Sequence, residues 1–192
     1  MTPLVLHPGT AHDLLVAVLA AWASAEVLLR LRNLGGRTTF DWSFILVVAS
    51  VAVGINLGFR VAHASAAVVG GGWAPAAAGL LIAVLGIALR VWAILALGRF
   101  FKFVVVIQDG HQVVDRGPYR LLRHPSYSGG LAALLGIGIA LDSWLAVLAV
   151  AGIPLLAILV RIRIEEARLL SALGQDYRVY AARTRLLIPG VW

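Results

Sequence analysis

The chain of 192 residues contains no cysteine, which excludes disulfides, thiolate metal ligands and a cysteine nucleophile. Charge is scarce as well: 13% of the residues are Asp, Glu, Lys or Arg, against 61% hydrophobic, and the mean hydropathy is +0.93. So little polar surface cannot cover a water-soluble globule of this size. No internal repeat, low-complexity linker or second domain interrupts the sequence. Acidic residues are scarcer still, nine against sixteen basic ones, for a formal charge of +7. A basic excess can point to nucleic acid, but here the basic residues are scattered among apolar runs and form no polar stripe, so no nucleic-acid partner is expected. What composition leaves is an all-α integral membrane protein.

Crossing about 30 Å of hydrocarbon takes about 20 mostly apolar residues. Five runs are candidates: Ala11 to Leu31, Trp42 to Val61, Ala74 to Leu97, Pro125 to Leu141 and Ser143 to Val160. The last two are short and are joined at Asp142 and Ser143, which predicts a tight hairpin. The Gly70 to Gly72 run with Pro75 predicts a turn before the third span. The first run has neither a basic region before it nor a small-residue cleavage pattern after it, so it does not read as a signal peptide.

The sixteen basic residues are unevenly placed. Arg30, Arg32 and Arg37 flank the first connection; Arg99, Lys102, Arg116, Arg120 and Arg123 follow the third span; six arginines follow the fifth. Arg60 stands alone in the second connection, and Arg90 lies within the third span. The positive-inside rule then predicts an N-terminus outside and a C-terminus in the cytoplasm. Residues 98–124 and 161–192 share that cytoplasmic side and carry most of the polar chemistry.

The stretch GPYRLLRHPSYSGG, residues 117–130, opens this polar region. Gly117 and Pro118 predict a turn that holds Tyr119 and Arg120 at a corner. Pro125 restricts His124 to an extended conformation and suits the first turn of a helix. Such a helix start exposes N–H groups suited to a carboxylate or another anion. Ser128, Gly129, Gly130, Ala132, Ala133 and Gly136 keep the fourth span thin, for close helix packing or for a flat ligand. In the tail, Arg161 and Glu165 are four apart and share a helix face. Gly174 predicts the end of that helix. Tyr177 and Tyr180, with Arg178, Arg183 and Arg185, follow on an amphipathic stretch and are equally consistent with interfacial anchoring. Glu165 and Glu166, close to lipid, need Arg161, Arg123 or a cationic ligand.

In order, LGRFF (Leu97 to Phe101), HQVV (His111 to Val114), GPYR (Gly117 to Arg120), RHPSYSG (Arg123 to Gly129), the paired glutamates and GQDYRVY (Gly174 to Tyr180) resemble the isoprenylcysteine carboxyl methyltransferase family. Several motifs in sequence are more specific than any one of them. The resemblance covers roughly residues 86–190. It implies S-adenosylmethionine as methyl donor, a cytoplasm-facing pocket for it, and a lipophilic acceptor entering from the bilayer. It also implies cofactor contacts at His111, Gln112, Val113, Val114, Tyr119, His124, Pro125, Ser126, Tyr127 and Glu165. Arg161 becomes the acceptor-binding residue, and catalysis is expected to rest on Arg161 and Glu165. Residues 1–97 then read as a scaffold of three spans on the acceptor side and residues 98–192 as the cofactor-binding region, within a single domain. One departure is Val104, where eukaryotic members carry glutamine seven residues before the histidine.

The chemistry stands apart from the family name. A carboxylate acceptor, with an ordinary pKa of about 4, is ionised at neutral pH and needs no general base. A phenol or amine acceptor would need one, with His111, His124 or Glu166 as candidates. A metal site is not expected: His111 and His124 are thirteen apart, His63 falls on the opposite side, and no cysteine assists. Phospholipid N-methylation or O-methylation of a phenolic lipid would use the same donor. More distant readings are an NADPH-dependent sterol reductase and a small transporter, for which Glu26, Asn56 and Arg90 would be the polar residues along a path. For Glu26 and Arg90 the simpler expectations are pairing of Glu26 with Arg30 and snorkelling of Arg90.

Overall fold

A computed structural model describes residues 3–32, 41–64, 68–98 and 113–188. Helices α1 (Thr10–Arg32), α2 (Trp42–Ala64), α3 (Trp73–Leu97) and α4 (Pro125–Ala140) are followed by a short α5 (Trp144–Val147), a π-helical turn (Leu148–Gly152) and α6 (Ile153–Arg183). The chain from Trp144 to Arg183 winds almost continuously. Four helices are long and apolar enough to cross a membrane, and α4 is a shorter apolar helix. Leu28, Leu81, Leu85, Leu148 and Leu156 stay exposed on their outer faces, which suits lipid and not water. The protein is an integral, multi-pass membrane protein.

The five predicted spans match α1 to α4 and the 144–183 helix, with one difference in extent. The fifth does not stop near Val160 but runs on as α6 to Arg183. Its polar half stays helical because its side chains dock on the 117–124 stretch. Pro154 explains the preceding π-helical turn: it has no N–H to give the carbonyl four residues back, so the ladder widens there.

Small residues set the closest helix contact. On α3, Gly79, Ala83 and Gly86 face Gly129, Ala133, Gly136 and Ala140 of α4, and a Cβ added at any of Gly79, Gly86, Gly129 or Gly136 would collide with the facing backbone. The thin face of the fourth span is therefore spent on helix packing. At one end of the bundle, Asp142 accepts hydrogen bonds from Gly70 and Gly71 N–H at 3.1 and 3.2 Å, tying the turn before α3 to the α4–α5 hairpin. Gly71 and Gly72 have φ of 73° and 72°, as the predicted turn requires. The other end gathers the start of α2, the start of α4, and α6.

Candidate functional site

At that second end the 117–124 stretch leads into α4. Gly117 takes φ +57° and opens a 3-10 turn over Gly117–Arg120. His124 is non-helical at φ −125°, and Pro125 begins α4. The tail then crosses back: Arg123 N–H donates to Arg185 O at 2.7 Å, His124 N–H to Leu186 O at 3.2 Å, and Arg185 N–H to Leu121 O at 2.9 Å. Ser128 Oγ donates to Leu187 O at 2.6 Å. The histidine-proline corner and the tail thus share one backbone hydrogen-bonded seam.

Two side-chain chains bridge α4 and α6. In the first, Arg161 Nε donates to the Tyr127 hydroxyl at 2.7 Å, and that hydroxyl donates to Glu165 Oε2 at 2.9 Å. Arg161 and Glu165 reach the same tyrosine because their four-residue spacing puts them on one helix face. In the second, His124 Nε2 lies 2.7 Å from Glu166 Oε1, and Tyr177 donates to that same oxygen at 2.5 Å. A carboxylate only accepts, so His124 carries its proton on Nε2. Arg123 approaches the other oxygen of Glu166 at 3.5 Å. The glutamates therefore find partners within the protein, as their position near lipid demands. The rings of His124 and Tyr127 stack at 5.7 Å.

Around this pair, Tyr180 donates to the carbonyls of Tyr119 and Leu122 at 2.9 and 3.3 Å, and Arg123 Nη1 donates to those of Ala181 and Thr184 at 2.7 and 3.2 Å. Tyr177 and Tyr180 are buried and belong to this cluster, not to an interfacial belt. Burial first, and the Glu165 carboxylate second, push the Tyr119 hydroxyl well above the ordinary tyrosine range, so Tyr119 is neutral at any physiological pH.

Of the residues singled out in the sequence, Tyr119, His124, Pro125, Ser126, Tyr127, Arg161 and Glu165 gather here. Val113 and Val114 lie at the entry to the 117–120 turn, half-buried, whereas His111, Gln112 and Val104 lie outside the described residues. Sequence reasoning missed the start of α2. Arg161 Nη1 donates to Asp41 Oδ2 at 3.2 Å and to Ser43 Oγ at 2.9 Å, and the guanidinium lies over the Phe44 ring at 5.6 Å. It also missed a link between α1, α3 and α4. Arg90 forms an ion pair with Glu26 and donates to Ser126 Oγ at 3.0 Å and Ser126 O at 3.2 Å. Arg90 is thus held by an interhelical partner instead of snorkelling, and Glu26 is engaged by Arg90 and by Trp22 Nε1. Among the described residues, no three His, Asp or Glu side chains group as metal ligands do.

Residues 79–171 match the model of the isoprenylcysteine carboxyl methyltransferase (ICMT) family. A rice (Oryza sativa subsp. indica) probable protein-S-isoprenylcysteine O-methyltransferase is 32% identical over 119 residues, covering 61% of this chain and 62% of that protein. Protein-S-isoprenylcysteine O-methyltransferase B of Arabidopsis thaliana is 35% identical over 115 residues, 59% of this chain and 58% of that protein. The chain thus spans about three fifths of the length of these curated relatives. The structure of the eukaryotic intramembrane Ras methyltransferase ICMT superposes with a TM-score of 0.66 at 24% identity, covering 92% of this chain and 67% of that one. The resemblance carried by the motifs is borne out, and the likeness in fold covers 92% of the chain.

Proposed function

We propose that this chain is an S-adenosylmethionine-dependent methyltransferase of the membrane that esterifies the carboxylate of a lipophilic, prenylcysteine-like acceptor, with its site at the cytoplasmic leaflet. The observation that carries the reading is Tyr127, whose hydroxyl joins Arg161 to Glu165 and so sets a cation suited to an acceptor carboxylate beside an anion suited to a cationic donor. The residues fit such a donor. Glu165 commits Oε2 to Tyr127, its other oxygen has no hydrogen-bond donor among the described residues, and its side chain is 29% exposed. That leaves a carboxylate oxygen to accept from the donor's ammonium group. The stacked His124 and Tyr127 rings offer an aromatic wall.

When bound, S-adenosylmethionine supplies an electrophilic methyl group on a sulfonium. Arg161 orients the acceptor carboxylate, which is already ionised at neutral pH, so neither His124 nor Glu166 is needed as a base. Because the cationic donor and the anionic acceptor would lose their charges together, bringing both out of water and aligning them would supply most of the acceleration. The acceptor's greasy part stays in lipid and reaches the site sideways.

The experiment is methyl transfer from radiolabelled S-adenosylmethionine by the detergent-purified chain to prenylcysteine analogues and, separately, to total membrane lipids. A labelled, base-labile methyl ester of the prenylcysteine analogue is expected. Label on a phospholipid amine or a phenol instead moves the reading to N- or phenolic O-methylation. Within the expected outcome, Glu165→Ala weakens donor binding measured by calorimetry, and Arg161→Ala raises acceptor KM and lowers kcat.

A further inference from the structure

The first 96 residues carry none of the motifs, yet a short stretch of them at the start of α2 reaches Arg161. Asp41, Ser43 and Phe44, the start of α2 in the run Asp41-Trp42-Ser43-Phe44, surround the guanidinium of Arg161. We infer that Asp41 and Ser43 are positioning residues that fix Arg161 for the acceptor, so that the N-terminal half of the chain tunes acceptor recognition without touching the donor. This rests on the proposed roles of Arg161 and Glu165.

The geometry argues for a fixed anchor. Asp41 uses its two oxygens differently. Oδ1 accepts from the N–H groups of Ser43 at 3.0 Å and Phe44 at 3.3 Å and from Ser43 Oγ at 2.5 Å, which is the N-cap arrangement at a helix start. Oδ2 accepts from Arg161 at 3.2 Å. The cap holds the carboxylate rigid, so its second oxygen is a stationary partner for the arginine. Ser43 relays the same constraint, receiving Arg161 Nη1 while it donates to Asp41. On the far edge of the guanidinium, Nε is held by Tyr127 of α4. Arg161 is only 4% exposed, and a guanidinium buried to that degree needs such a counter-charge to stay in place. Two helices remote in sequence therefore hold one side chain by two different edges. The hydrogen bonds of Asp41 and Ser43 described above run to the start of α2 and to Arg161, whereas Glu165, on the donor side, is reached through Tyr127.

The test uses Asp41→Asn, which keeps a good N-cap and removes the charge, with Asp41→Ala, Asp41→Glu and Ser43→Ala beside it. Asp41→Asn is expected to raise the acceptor KM by roughly tenfold or more, the order produced by small misplacements of a substrate-positioning group, with donor affinity by calorimetry within about twofold. Ser43→Ala gives a smaller shift of the same kind, and Asp41→Glu recovers part of the loss. An unchanged acceptor KM in Asp41→Asn, or a matching loss of donor affinity, overturns the inference. If the wild-type chain methylates no acceptor, the proposed function fails instead. The positioning claim then stands or falls on thermal unfolding of Asp41→Asn, Arg161→Lys and the double variant. A non-additive cycle upholds the link between α2 and Arg161, and additive shifts overturn it.

Discussion

Tyr177 and His124 meet on a single atom, Oε1 of Glu166, at 2.5 and 2.7 Å. One comes from the tail beyond the Gly174 kink and the other from the corner before α4, so this carboxylate oxygen is one point at which the tail is fastened to the histidine-proline motif, beside the backbone seam.

Removing the Tyr177 hydroxyl should loosen that fastening without dismantling it. A hydrogen bond to a charged group contributes about 1.5–3 kcal/mol, while the Tyr180, Arg123 and Arg185 contacts remain. Tyr177→Phe is expected to speed tryptic cleavage after the exposed Arg178 by roughly tenfold or more, in proportion to local opening. Donor binding should weaken in parallel, because Glu166 loses one of the two groups bonded to Oε1 and holds His124 less firmly. A cleavage rate equal to wild type would mean that Glu166 does not secure the tail.

The ion pair of Arg90 with Glu26 makes a separate prediction about stability. Their side chains are 17% and 27% exposed, and removing one member of a buried pair typically costs about 3–5 kcal/mol because the other charge is left behind. Here partial exposure puts the expectation at the lower end of that range. Arg90→Met should lower the unfolding temperature in detergent, and adding Glu26→Gln should not lower it further, since the stranded carboxylate is then gone. A double variant clearly less stable than Arg90→Met would show that Glu26 has an independent structural role.

What was legible in the sequence follows from which interactions are local. The spans, the Gly71–Gly72 turn and the start of α4 at Pro125 depend on near neighbours, and hydropathy, proline and glycine revealed them. His124 is non-helical but, with ψ of 53°, not extended, and Gly174, expected to end the helix, instead kinks it, because the tail beyond docks and stays helical. The pairings of Arg90 with Glu26 and of Arg161 with Asp41 join residues 64 and 120 positions apart. Nothing in the local pattern encodes them. Asp41 and Ser43 do read as a helix cap before an apolar run, but that cap also serves an arginine on another helix, which only the packing of α2 against α6 reveals. Small residues on α4 admitted two readings until α3 was seen to fill their face.

Orientation in the bilayer can be tested directly, and the absence of cysteine helps. Each introduced thiol is the single target for a membrane-impermeant maleimide. Gly70→Cys marks the exposed end near the α4–α5 hairpin and Gln175→Cys the exposed tail. With the basic segments in the cytoplasm, intact cells should label Gly70→Cys at once and Gln175→Cys only after permeabilisation. The reverse order would put the site outside, away from a cytosolic donor.

Gly174 offers the sharpest single-residue test of how the tail is built. Its φ of 55° and ψ of −120° break an otherwise continuous helix, in a region that residues with a Cβ rarely adopt at a cost of about 1–3 kcal/mol. No atom crowds the position, so Gly174→Ala introduces no clash and acts through the backbone alone. Alanine favours a straight helix, which would carry Tyr177, Tyr180 and the 184–187 seam away from Glu166, Tyr119 and Arg123. The expected result is a tail cut faster by trypsin and a donor affinity lowered by about tenfold or more, following from the free-energy cost of restoring the kink. Gly152→Ala is the matched control. Its glycine already has helical φ and ψ of −69° and −45° and equally open surroundings, so alanine there should be neutral or stabilising by about 0.4–1 kcal/mol. If the two alanine variants bind the donor alike and resist trypsin alike, the docked tail does not depend on the kink, and the contacts of Tyr177 and Tyr180 must be strong enough to bend the helix by themselves.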